Sequence, residues 1–339
     1  MKVAVLGAGA WGTALCFPLS GNDNDIWLWD RTGSLVHAIR EQRQNPRHLA
    51  GITLPEGISV TADMENAVRG AAAIIVAVPT HAFREVLALA SPAASQETVL
   101  VSAAKGIEPS SHLRMTQVIA AEFPAHPKSH IACISGPNFA IEVARREPTT
   151  TVVGAKDGDV GRLLQDILMT PSFRVYTNPD VTGVEMGGAV KNIIAIAVGI
   201  AEGMGLGYNS RAGLITRGLA EMARLGVALG AHPLTFAGLS GMGDLVLTCT
   251  GEHSRNRRCG VAVGRGESLQ HFLETTQLTV EGVRTTQAVR ELSLAKSIEL
   301  PVTEQVYEIL FAGKSPQEGV RSLMSRERKH ESEEVARYR

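Results

Sequence analysis

Cysteine is scarce in this sequence. The 339 residues hold Cys16, Cys133, Cys249 and Cys259, with no Cys-x-x-Cys and no cysteine or histidine at metal-ligand spacing. No metal site is therefore expected, and four reduced structural thiols suit a cytoplasmic protein. An excess of one sign of charge is also lacking. The formal net charge is -1 and no long basic stripe precedes the C-terminal tail, which argues against a general nucleic-acid binder. The chain opens on Lys2-Val3-Ala4-Val5-Leu6-Gly7 without a charged leader, an apolar stretch and a cleavage site, so export is not expected. The uncharged apolar stretch after Asn192 is too short for a bilayer, and no membrane insertion is expected. Internal repeats and low-complexity linkers are absent as well.

What is present is an ordinary globular composition, 44% hydrophobic and 20% charged, in a chain too long for one core. The expectation is a domain over residues 1–180, a second over 181–325, and a solvated tail over 326–339 that mixes both charge signs without an apolar face. In the first, short apolar runs at 3–6, 26–29, 71–78, 99–102 and 131–135 are bounded by glycine and proline and separated by helix-like segments. Such runs read as strands of a parallel sheet buried on both faces, giving a doubly wound α/β domain. Runs at 149–154 and 173–176 carry the sheet to about residue 178. Beyond 180, alanine, leucine, glycine and methionine recur at helical spacing, and the second domain reads as all helical, with helices at 183–204, 210–229, 233–240, 256–264, 283–295 and 301–311.

Gly7-Ala8-Gly9-Ala10-Trp11-Gly12 lies between a predicted strand and a predicted helix. There Gly7 permits the tight turn, Gly9 lets a pyrophosphate approach the backbone, and Gly12 packs helix on strand, with the phosphates on the helix N-terminus. Asp30 ends the second strand, at the spacing expected of an acid that holds an adenosine ribose, and the domain reads as a Rossmann-type dinucleotide binder. Arg31 follows at once. A carboxylate favours the ribose hydroxyl of NAD and a guanidinium the extra phosphate of NADP, so both cofactors stay open.

Lys191 is the only cation in the long apolar segment from Met186 to Ala201. Either its stem covers apolar surface while its head reaches water, or it is desolvated, its pKa lowered into the range of acid/base chemistry. Lys105-Gly106 and Ser135-Gly136-Pro137-Asn138 each follow a predicted strand, where the carboxyl ends of an open sheet face the ligand crevice, so that Lys105 either reaches a substrate or nicotinamide or is a solvated loop lysine. Asp244, in Gly241-Met242-Gly243-Asp244, is a lone carboxylate that would orient and tune a nearby lysine, or else cap a turn. Ser254-Arg255-Asn256-Arg257-Arg258 supplies a hydroxyl, an amide and three guanidinium groups at a predicted helix start, which suits a substrate phosphate or else is a solvated basic turn.

These motifs, together with Gly183-Val-Glu-Met-Gly-Gly-Ala-Val-Lys-Asn, Leu214-Ile-Thr-Arg-Gly-Leu and Leu247-Thr-Cys-Thr, occur in order through nearly the whole chain. In this the sequence resembles the NAD(P)-dependent glycerol-3-phosphate dehydrogenases. The resemblance implies reversible reduction of dihydroxyacetone phosphate to sn-glycerol 3-phosphate for phospholipid synthesis, by a cytoplasmic homodimer. It implies Lys191 as proton acceptor for the alcohol and Lys105 as a contact to both substrate and cofactor. Gly136, Asn138, Asp244, Ser254, Arg255 and Asn256 match substrate-binding positions. Ala10, Trp11, Arg31, Ala140, Arg255, Thr279 and Glu281 match positions that line the cofactor. Asn138 and Ala10 stand where serine is usual, and Asp30 where a smaller or uncharged residue is frequent; Asp30 would repel a 2′-phosphate and favour NAD. Two alternatives are a related dehydrogenase for another small hydroxy substrate, which needs no anion site at Ser254, and a dinucleotide sensor without turnover, which leaves Lys191 unexplained.

Overall fold

The apolar runs at 3–6, 73–76, 99–102 and 131–135 become strands buried on both faces, whereas the edge run at 173–178 leaves Arg174 and Tyr176 exposed. In the computed structural model, which describes residues 1–276, 279–328 and 331, the strands are β1 (Lys2–Leu6), β2 (Asp25–Trp29), β3 (Gln44–Asn45), β4 (Leu49–Thr53), β5 (Ile58–Thr61), β6 (Ala73–Val76), β7 (Val99–Ser102), β8 (Ile131–Ser135), β9 (Thr149–Ala155) and β10 (Phe173–Asn178). The helices are α1 (Ala10–Ser20), α2 (Gly33–Gln42), α3 (Met64–Val68), α4 (Thr80–Ala90), α5 (Met115–Glu122), α6 (Ala140–Ala144), α7 (Gly158–Leu168), α8 (Val181–Gly203), α9 (Tyr208–Ala228), α10 (Asp244–Thr250), α11 (Arg255–Gly264), α12 (Leu269–Thr276), α13 (Glu281–Ala295), α14 (Pro301–Phe311) and α15 (Pro316–Met324). The expectation of a solvated tail falls largely on residues 329, 330 and 332–339, which lie outside the described residues.

The described chain divides into two compact units, Met1–Ala104 with Met115–Val184, and Lys105–Arg114 with the chain from Glu185 onward. The first is built on an eight-stranded sheet in the order β10-β9-β8-β7-β6-β1-β2-β5, and β3 and β4 form a separate hairpin. β1 is central, pairing in parallel with β2 on one side and β6 on the other. Strand order therefore reverses at β1, and the turn after it opens at the switch point where open α/β sheets bind ligands.

One pair departs from the parallel expectation: β9 runs antiparallel to β8. The connection between them carries only the five-residue α6.

The second unit is helical, with its core on α8. That helix has 23 residues, enough by length and composition for a membrane span, yet its most apolar stretch is wholly buried in protein. The short stretch after Asn192 is thus only part of a longer buried helix. The predicted helix over 233–240 is instead a 3₁₀ turn, Pro233–Ala237, followed by a wider π turn, Leu239–Gly243, that leads directly into α10.

α8 meets α11 at backbone distance. A Cβ at Gly199 would lie 2.2 Å from the Arg257 carbonyl oxygen, and one at Gly260 would lie 2.2 Å from that of Ile196. Gly260→Ala is therefore expected to lower stability by about 2–3 kcal/mol, because an added methyl in a packed contact forces backbone shifts. Urea unfolding measures this, and an unchanged midpoint contradicts the contact.

Candidate active site

In the first unit the glycine-rich turn is held open for a ligand. Gly7 has φ +111°, and a Cβ there would meet Val78 at 2.7 Å, so the turn requires glycine. In front of Gly9 a Cβ would meet nothing within 4 Å. Gly9 caps α1 without a side-chain hydrogen bond, which leaves the first amides of that helix available to an anion. The Trp11 indole N–H is buried and finds no acceptor among the described residues. Open space, unclaimed amides and an orphaned donor fit a bound dinucleotide.

The Ala8 peptide behind this turn is fixed at both ends. Its N–H donates to Asp30 Oδ2 at 3.0 Å, and its carbonyl accepts from Asn45 Nδ2 at 2.7 Å. Asp30 Oδ1 accepts from the Thr32 N–H at 2.9 Å, so both carboxylate oxygens hold backbone. Asn45 is fully buried; its amide also donates to Thr13 Oγ1, and its oxygen accepts from the Arg47 and His48 N–H groups. Sequence reading missed Asn45, because an asparagine before proline looks like a plain turn residue. Arg31 is exposed beside Glu85 at 3.6 Å.

Gly136, with φ +149°, opens the turn after β8. Asn138 in that turn donates to the Thr150 carbonyl at 2.8 Å and accepts from Thr151 Oγ1 at 2.9 Å, so its side chain ties the turn to β9. Ala140 starts α6 and packs in the same apolar cluster as Ala10 and Trp11.

In the second unit the structure brings Lys105, Lys191 and Asp244 together. Asp244 is 1% exposed; its Oδ1 accepts from Lys191 Nζ, and its Oδ2 accepts from Lys105 Nζ at 2.7 Å. Lys191 donates also to Thr248 Oγ1 at 2.6 Å and is 5% exposed, so it does not reach out to water. Burial lowers its pKa to about 8; the Asp244 carboxylate opposes that fall and the Lys105 charge adds to it. Asp244 owes its place to the π turn, which lies so close to α8 that a Cβ on Gly187 would sit 2.4 Å from the Ser240 carbonyl oxygen. It occupies the first turn of α10, where a negative charge is favoured.

A chain of amides extends the cluster. Asn192 Nδ2 donates to the Lys105 carbonyl at 3.4 Å, Asn256 Nδ2 donates to Asn192 Oδ1 at 2.8 Å, and the Gly282 N–H donates to Asn256 Oδ1 at 2.9 Å. The Asn256 side chain is thereby used within the protein. Ser254 caps α11 by accepting from the Arg257 N–H at 3.2 Å, which leaves the Arg255 and Asn256 amides at the helix start. Of the three arginines in this turn, Arg257 is engaged elsewhere, in a two-pronged pair with Glu202 at 2.8 and 2.7 Å. Arg258 is exposed. Arg255 is also exposed; desolvation lowers its pKa and the Glu281 carboxylate opposes that, and Thr279 precedes Glu281 by two positions.

Residues 2–160 match the family described as NAD-dependent glycerol-3-phosphate dehydrogenase N-terminus, and residues 180–321 match its C-terminus. The glycerol-3-phosphate dehydrogenase (NAD(P)+) of Pelotomaculum thermopropionicum is 50% identical over 99% of this chain and 96% of its own length. The enzyme of that name from Bacillus subtilis is 47% identical over 98% of this chain and 97% of its own. A crystal structure of glycerol-3-phosphate dehydrogenase from Coxiella burnetii, 38% identical, superimposes with a TM-score of 0.91 over 96% of this chain and 98% of that one.

Proposed function

Because this chain belongs to the NAD-dependent glycerol-3-phosphate dehydrogenase family, we propose that it catalyses the reversible reduction of dihydroxyacetone phosphate to sn-glycerol 3-phosphate with NAD(P)H. The observation that carries this reading is that one buried carboxylate, Asp244, is shared by two lysine ammonium groups. When bound at the Gly7–Gly12 turn, the nicotinamide dinucleotide supplies the hydride. The chain supplies the rest. Lys191 Nζ donates two of its N–H bonds to Asp244 and Thr248; the third is for the substrate oxygen. In reduction Lys191 gives its proton to the developing alkoxide, and in oxidation the neutral amine takes the proton back. Lys105 holds the same oxygen and screens its charge, while the α11 start and Arg255 take the phosphate.

The roles of Gly136, Asn138, Ala140, Thr279 and Glu281 as further contacts belong to this reading, as do a cytoplasmic homodimer and a product destined for glycerophospholipids. Cofactor preference turns on Asp30 and Arg31. Asp30 opposes a 2′-phosphate, and Arg31 favours one once it leaves Glu85. A sensor without turnover would have no use for two lysines on one buried acid.

The sign of the pH dependence tests the role of Lys191. Reduction needs the protonated amine, so kcat/KM for dihydroxyacetone phosphate should fall as pH rises through about 8. Oxidation needs the neutral amine, so kcat/KM for glycerol 3-phosphate should fall as pH drops through the same value. Profiles in both directions measure this, and limbs of the same sign contradict it.

A further inference from the structure

Glu185 lies in the motif that contains Lys191, but no step of the proposed reaction uses it. Its side chain is 6% exposed and pairs with Arg114, itself 18% exposed. A buried ion pair is weak evidence for stability, since desolvating both charges offsets most of their attraction. Its geometry suggests another use. Arg114 closes the segment Lys105–Arg114, which belongs to the second unit although both its flanks belong to the first. Within that segment Ile107 and Arg114 form an antiparallel bridge, and the Glu108 N–H donates to the Leu113 carbonyl at 3.0 Å. Arg114 is thus the cross-strand partner of a residue two positions from Lys105. Ile107 is 1% exposed in the core around α8, and His112 meets Glu291 of α13 at 2.8 Å.

We propose that Glu185 and Arg114 are positioning residues that clamp the Lys105 loop onto α8 and so hold the Lys105 ammonium at Asp244. The proposal rests on the reading of Lys105 as a substrate-side lysine. Glu185 lies six positions before Lys191 on the same helix, so one rigid element carries the proton-transferring lysine and the anchor of the second lysine. Without the clamp, the loop keeps its apolar plug at Ile107 but gains freedom at Lys105.

The test is the double variant Arg114→Met/Glu185→Met, which removes both charges and preserves apolar packing, so that stability is kept or raised. The clamp predicts a thermal midpoint that is unchanged or raised, amides of Lys105–Arg114 that exchange hydrogen at least about tenfold faster, and kcat/KM for dihydroxyacetone phosphate lower by about 10–100-fold. In a Lys105→Met background the same double substitution should cost less than about twofold, because its effect passes through Lys105. Unchanged exchange, unchanged kcat/KM, or losses that simply multiply would overturn the proposal. Should the double variant fail to fold, Glu185→Gln is read by the same three measurements. If the wild-type protein does not turn over dihydroxyacetone phosphate, the functional reading fails and exchange alone decides the clamp.

Discussion

Lys191→Met is expected to lower kcat by about 10³–10⁴-fold while leaving NAD(P)H binding within about twofold of wild type. Methionine keeps the length and apolar character of the lysine stem, so packing in α8 is preserved and only the proton donor is lost. Water is a poor substitute, because the position is 5% exposed and framed by Asp244 and Thr248. The loss should appear in kcat, since Lys191 is asked to act where charge develops on the substrate oxygen. Steady-state kinetics with a separate titration of cofactor fluorescence distinguish this from a folding defect. A variant that keeps more than about a tenth of wild-type kcat removes Lys191 from the chemistry.

Asp244→Asn is expected to be damaging in a different way. Two ammonium groups share this carboxylate, and the amide withdraws its negative charge from both in a buried site. Breaking such a pair typically costs about 3–5 kcal/mol, part of which the protein escapes by releasing a proton from Lys191. The attraction of Asp244 opposes the lowering of the Lys191 pKa, so its loss lets that value fall further below about 8. At neutral pH reduction then loses its acid, and kcat/KM should drop by about 10²–10³-fold. The descending limb of the reduction profile should move to lower pH. A limb that stays in place would mean that Asp244 does not set the proton affinity of Lys191.

The elements that sequence made legible are those whose pattern and burial agree. β1 and β6 are continuous apolar runs, and both are buried on two faces. The glycine-rich turn was readable because each glycine answers a local demand. Lys191 stood out because a lone cation in an apolar helix needs a reason. Asp244 was visible as a lone acid, but its closeness to both lysines was not, because it depends on a π turn packed at backbone distance against α8. Tertiary choices of partner escaped likewise. Nothing local distinguishes Arg257, paired with Glu202, from Arg255, which stays at the helix start. Asn45 and the Arg114–Glu185 pair act across long stretches of chain, where polar residues carry no periodicity. The reversal of β9 is likewise a choice of partner direction that composition does not reveal.

The most direct test of the central claim is consumption of NADH, and separately of NADPH, by the wild-type protein supplied with dihydroxyacetone phosphate, with the product identified by its stereochemistry. The account predicts stoichiometric formation of sn-glycerol 3-phosphate, and little or no turnover of unphosphorylated dihydroxyacetone, as expected if the start of α11 takes the phosphate. No cofactor consumption above background, or equal turnover of the two ketones, would contradict it.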